Sequence, residues 1–250
     1  MRDVPDLIGQ YPRKAFVAIK AEAQRVGFRW RVTLIVATAV VLLLLPSYHK
    51  GVWFFDVLRW IGGENFARLA RSFGINHRLM LDVCVPLGIL AATGQRFRDY
   101  GLGLGKVKKG LALSLLFYVI YVPCFIVLFS NPGFQQYYDG VTKHYQTWQQ
   151  FLVRETVIVA LLSLRTEFLF RGFLLFGVKR EYGAYAGILV QAMPYVLVHA
   201  GKAEMEALGS LGVGLALGWL AIKTESIWYG AVLHGSIALM YNALIFALNR

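Results

Sequence analysis

The chain has 250 residues, 57% of them hydrophobic, a mean hydropathy of +0.53 and a formal charge of +12 at pH 7. That apolar excess excludes an ordinary soluble domain, and several runs approach the roughly 20 residues that a bilayer-spanning helix needs. In a soluble protein the charge would raise nucleic acid as a partner. Here the Lys and Arg residues cluster between apolar segments, so the sequence predicts a lipid bilayer and no nucleic acid.

Taken in chain order, residues 1–30 interleave Lys14, Lys20, Arg25 and Arg29 with Phe16, Val17, Ile19, Val26 and Phe28. A signal peptide would have one short basic region before an unbroken apolar one. The pattern predicts an amphipathic helix on the cytoplasmic membrane surface, followed by one transmembrane domain over residues 31–250. The first span covers residues 32–45, ahead of Pro46. Residues 51–76 mix apolar and charged positions and read as an interfacial helix or helical hairpin. A second span, 79–93, carries Asp82 and Pro86.

Arg96, Arg98, Lys106, Lys108 and Lys109 follow in the glycine-rich stretch around YGLGLGKVKKG, the strongest cytoplasmic signal in the chain. It reads as a flexible basic loop. After a third span, 111–129, comes a polar, Tyr-rich external loop, 131–150, with Lys143 as its only Lys or Arg. Four more segments cover residues 151–178, 182–199, 208–222 and 227–248. The expected fold is an all-α polytopic bundle of about seven spans. Its amino terminus is cytoplasmic and its carboxyl terminus outside, in the cell inner membrane. Cys84 and Cys124 lie in apolar segments and imply neither a disulfide framework nor a cysteine metal site.

The fourth segment holds Arg154, Glu155, Arg165, Glu167 and Arg171. Arg154 and Glu155 are near its outer end, within reach of water. Glu167 lies twelve residues before Lys179, about 18 Å at ~1.5 Å per residue, hence near mid-membrane. An ionisable group there costs about 2.5–3.5 kcal/mol or more and must face the protein or a wet cavity. Arg171 follows Glu167 by four residues and Ser163 precedes it by four, so all three share a helix face. A structural ion pair is the plain reading of this helix alone.

Of the five histidines, His199 and His234 fall in apolar segments. A carboxylate and two imidazoles on three spans can hold and polarise one water, the carboxylate as base and a histidine at the oxyanion. The same set, His199, His234 and Glu167, matches a zinc site with an open fourth position. Either route hydrolyses an acyl bond, and cofactor need is either none or zinc. GxSxG, Walker A and HExxH motifs are absent.

TEFLFRGFLLF, PYVLVH and KTESIWYGAVLHG resemble, in order, the three motifs of the CAAX protease and bacteriocin-processing (CPBP/Abi) family of intramembrane proteases. The family pattern is Glu-Glu-x-x-x-Arg, then an aromatic-x-x-x-His, then His-x-x-x-Asn. The resemblance covers residues 151–243 and places the catalytic core there. Glu167 and Arg171 match the second Glu and the Arg, while Thr166 stands at the first Glu. Tyr195 and His199 match the second motif. His234 matches the third, Ala238 stands at its Asn, and Tyr241 or Asn242 could supply the missing group.

The resemblance implies an endopeptidase acting on a membrane-associated protein or peptide. Glu167 would activate water, His199 and His234 would position it, and Arg171 would orient Glu167. Thr166, Tyr195, Tyr241 and Asn242 would line the substrate site. Thr166 and Ala238 also fit an alternative, an inactive member serving as a membrane scaffold or immunity factor.

Overall fold

The computed structural model describes residues 29–48 and 52–249, together with Val17, Glu22 and Gly27. The amphipathic helix expected over residues 1–30 therefore lies almost wholly outside the described residues. Among these, every regular element is helical. α1 is Trp30–Tyr48, α2 Val52–Ser72 and α3 His77–Ala92, followed by a 3-10 turn at Phe97–Tyr100. α4 is Val107–Phe129, α5 Pro132–Thr142 and α6 Trp148–Glu167. A π-helical segment, Phe168–Leu175, continues α6 into α7, Phe176–Leu197. α8, Glu204–Thr224, and α9, Trp228–Leu248, complete the bundle.

The helix starts follow from local chemistry. Asn76, Asn131 and Thr147 each accept a backbone N–H of the first turn with a side-chain oxygen, and Pro132 opens α5 where its missing N–H is harmless. α2 and α7 are broken at Gly63 (φ +78°) and Gly183 (φ +84°), conformations that cost a glycine little. α2 and α3 meet at 89°; α2 fills the stretch where an interfacial helix or helical hairpin is expected, and α3 that of the expected second span.

α4, α8 and α9 are long and apolar enough to cross a membrane, and the bent pair α2–α3 makes a fourth if counted as one span. α1 holds a shorter apolar stretch, Trp30–Leu44. Only Gly110 and Phe125 of α4 are buried, and its Leu111, Leu115, Val119 and Val127 are exposed, the outward apolar surface of a lipid-facing helix. α6 is long but carries four charged residues, and it packs on the bundle along one face.

The core forms around the π-helical segment. All eight of its residues are buried, packed against Ile35 and Ala39 of α1, Leu90 of α3, Tyr195 of α7 and Ala221 of α8. A second cluster joins Phe125, Phe134 and Tyr138 to Tyr241. The region expected as a plain polar loop thus contains α5, whose Phe134 and Tyr138 reach into the protein. The glycine-rich stretch is likewise no free loop. Lys106 N–H donates to Thr224 O (2.8 Å) and Ile227 N–H to Gly101 O (2.9 Å). The Trp228 indole donates to Leu102 O (3.0 Å) and the Tyr229 hydroxyl to Leu104 O (2.8 Å).

Candidate active site

α6 buries one residue in four along a single face: Phe151, Glu155, Val159, Ser163 and Glu167. α9 lies directly on that face because two of its contact positions are glycine. A Cβ on Gly230 would stand 2.7 Å from Glu167 Oε2, and one on Gly235 would stand 3.2 Å from Ser163 Oγ. Small residues let membrane helices approach this closely, and here they bring the carboxylate of α6 against His234 of α9.

Glu167 is fully buried, and so is Arg171, one turn later in the π-helical segment. An Arg171 terminal nitrogen lies 3.1 Å from Glu167 Oε1, a charge contact whose angle does not make a hydrogen bond. The guanidinium also sits 4.1 Å from the centre of the Tyr195 ring, a face that attracts cations. His234 Nδ1 is 3.1 Å from the same Glu167 Oε1. His199, just past the end of α7, places Nδ1 2.8 Å from Tyr195 O. Tyr195 packs against both imidazoles, with ring centroids 4.4 Å from His199 and 6.2 Å from His234.

Each Nδ1 faces an oxygen that only accepts, so on the neutral rings both Nδ1 atoms carry the proton. Both Nε2 atoms are then lone-pair acceptors. Both imidazoles line the same two cavities.

Two cavities meet at these rings. One, about 450 Å³, has Thr166, His199, Lys202, His234 and Ala238 on its wall. The other, about 160 Å³, runs between α4, α8 and α9 and shares His199, Lys202, His234 and Ala238. Glu167 lines neither cavity. It stands behind His234, away from the space a substrate would enter.

Residues 148–240 match the sequence model of the type II CAAX prenyl endopeptidase Rce1-like family. Over this stretch the chain is similar to the CAAX protease family. Neither a curated protein nor a solved structure matches the chain. The family is one of membrane endopeptidases, and the chain is an integral membrane protein.

Seen as a CAAX-family core, the structure gathers Glu167, Arg171, Tyr195, His199 and His234. Thr166 holds the cavity-facing position of the family's first Glu, and its hydroxyl donates to Leu162 O (2.8 Å). The remaining expected site residues also reach the cavities, Tyr241 on the smaller and Asn242 on the larger, each with further contacts. Tyr241 stacks on Phe125 with centroids 5.0 Å apart. Asn242 donates to Glu155 Oε1 (2.5 Å), whose other oxygen accepts from the Tyr145 hydroxyl (2.6 Å). Glu155, expected in water, is 3% exposed. Burial, and then its bond to Glu155, push the Tyr145 hydroxyl above the usual tyrosine range, so it remains a donor.

Two residues of this core are not among the expected site residues. Lys202 lines both cavities and is held by Glu206 at 2.6 Å; its i,i+4 spacing to Glu206 was the available clue. Asp82 is buried between Arg78 (3.7 Å) and Arg165 (3.6 Å) on the larger cavity. As for zinc, no three His, Cys, Asp or Glu side chains among the described residues converge as they would around a metal ion. The expected set His199, His234 and Glu167 does not fit one, because Glu167 already meets Arg171 and the Nδ1 side of His234.

Proposed function

We propose that the chain is an intramembrane endopeptidase in which His234 takes the proton from the attacking water and Glu167 supports His234. The observation that carries this reading is the order of groups: cavity, His234, Glu167, Arg171. A carboxylate behind Nδ1 fixes the tautomer and stabilises the imidazolium that forms as the ring accepts a proton. The sequence alone favours Glu167 as the base. The arrangement favours His234 as the group that touches water.

Water held between the two Nε2 atoms attacks the scissile carbonyl, and His234 takes the proton. The oxyanion is stabilised by the Lys202 ammonium, the donor common to both cavities. The protonated His234 then delivers its proton to the leaving amine. Arg171 balances the charge of Glu167 inside the bundle. The smaller cavity accepts the membrane-embedded part of the substrate and the larger one, lined also by Arg78, Asp82 and Arg165, the hydrated part.

About seven spans are proposed, with α2–α3 counted as one and α6 and α7 crossing inside the bundle. The basic turn regions then lie on the cytoplasmic side of the inner membrane, with the amino terminus. The test is cleavage of a library of transmembrane-segment peptides by the purified protein in ¹⁸O water. The reading predicts new carboxyl termini carrying ¹⁸O, absent with the double variant His199→Ala, His234→Ala. No cleavage by a folded wild type, or equal cleavage by the variant, would turn the assignment toward the scaffold or immunity role.

A further inference from the structure

The end of the bundle where α4 begins and α8 passes into α9 holds a third cavity, about 490 Å³. Arg98, Lys106, Lys179 and Arg180 face it, against Asp99 and Glu225. Four cations and two carboxylates leave a surplus of two positive charges. Arg180 pairs with Asp99 (3.8 Å) and Lys106 with Glu225 (2.6 Å). Among the described residues, Arg98 and Lys179 have no ion-pair partner; Lys179 lies over the Phe176 ring at 5.1 Å.

The cavity is open at the surface, with the side chains of Lys106, Glu225, Arg180 and Asp99 42–56% exposed. Glu225 is the one non-glycine residue with positive φ among the described residues (φ +58°), a backbone state costing of order 1–3 kcal/mol. That turn brings its carboxylate to Lys106. Lys106 first, and then Lys179 and Arg98, hold the Glu225 carboxyl below the usual range, so the two unpaired cations act on the same space.

Its level also matters. Val107, Thr224 and Trp228 are the ends of the three helices long and apolar enough to cross a membrane; Val107 and Thr224 adjoin the lining residues Lys106 and Glu225, and Trp228 follows three residues after Glu225. Its floor is therefore at the depth of lipid headgroups. Trp228 and Tyr229 donate to the loop there, as aromatic side chains do at membrane interfaces.

We propose that this cavity binds the phosphate of an anionic phospholipid between Arg98 and Lys179. Basic pockets among membrane helices on one side recognise lipid phosphates in this way. The bound phosphate braces the docked stretch 101–106 and the turn before α9, the helix that presents His234. The site is separate from the hydrolytic cavities and does not depend on their chemistry.

The test is native mass spectrometry of the full chain extracted from vesicles of phosphatidylcholine with phosphatidylglycerol. Wild type retains phosphatidylglycerol. The variant Arg98→Ala, Lys179→Ala binds it about 30-fold more weakly, from about 1 kcal/mol per basic side chain. Arg98→Lys, Lys179→Arg restores it, and thermal unfolding in detergent confirms that each variant is folded. Lys108→Ala, Lys109→Ala removes the same charge beside the cavity and leaves retention within about threefold of wild type. Equal weakening by that control would mean diffuse surface attraction and overturn the proposal. Displacement of the lipid by inorganic phosphate would reassign the site to free phosphate and overturn it too.

Discussion

Replacing Glu167 by Gln removes one charge from a place where two depend on it. The amide oxygen can still accept from His234 Nδ1, so the ring keeps its position and tautomer. The imidazolium formed during reaction then loses its counter-charge at 3.1 Å. With an effective dielectric of about 20, that contact is worth roughly 5 kcal/mol. Arg171 touches the same oxygen and offsets part of it, so the expected fall in kcat is about 10³–10⁴-fold. Arg171 meanwhile becomes a buried cation without a partner, costing roughly 3–5 kcal/mol of stability.

Two measurements separate these effects. Thermal unfolding in detergent should fall for Glu167→Gln and recover in Glu167→Gln, Arg171→Met, where both charges are gone. Cleavage should be lost in both. Activity within about tenfold of wild type in folded Glu167→Gln protein would refute the reasoning, because His234 would then need no carboxylate.

Gly230→Ala should push the Glu167 carboxylate aside, costing about 1–3 kcal/mol and most of the activity. Gly212→Ala, with open space around its Cβ, should be neutral or stabilising by up to about 1 kcal/mol; thermal unfolding and cleavage rates check both. Tyr145→Phe leaves one Glu155 oxygen without its donor and should lower stability by about 1–3 kcal/mol, read from the same unfolding curves, with the cleaved bond unchanged. A zinc chelator should leave the cleavage rate as it was, since Arg171 balances Glu167; a loss restored by added zinc would instead place a metal at the histidines.

The parts legible in the sequence are those where burial in an apolar run is expensive. Glu167, Arg171, His199 and His234 stand out because a membrane interior tolerates such groups only when they meet each other, and the structure brings them together. Glu155 was misread because position along a helix gives depth but not partners. Its partners, Tyr145 and Asn242, come from α5's flank and α9. The docking of residues 101–106 was hidden for the same reason, since Lys106 and Glu225 are 119 positions apart.

The π-helical segment leaves no mark in a short apolar stretch, because one widened turn barely shifts the pattern of hydrophobic positions. The order of groups behind the cavity was the least legible feature. Spacing shows that Glu167 and His234 can meet, but which of them faces the substrate depends on how α6 and α9 are rotated. Gly230 and Gly235 settle that rotation through contact, which a sequence records only as two small residues.

The most direct test of the hydrolytic account compares His234→Ala with Glu167→Gln in one cleavage assay, each confirmed folded. The account predicts that His234→Ala is at least as damaged as Glu167→Gln, and that the double variant is no worse than the worse single, because the pair acts as one unit. If His234→Ala retains substantial cleavage while Glu167→Gln has none, Glu167 itself is the group that activates water and the proposed order of roles is wrong.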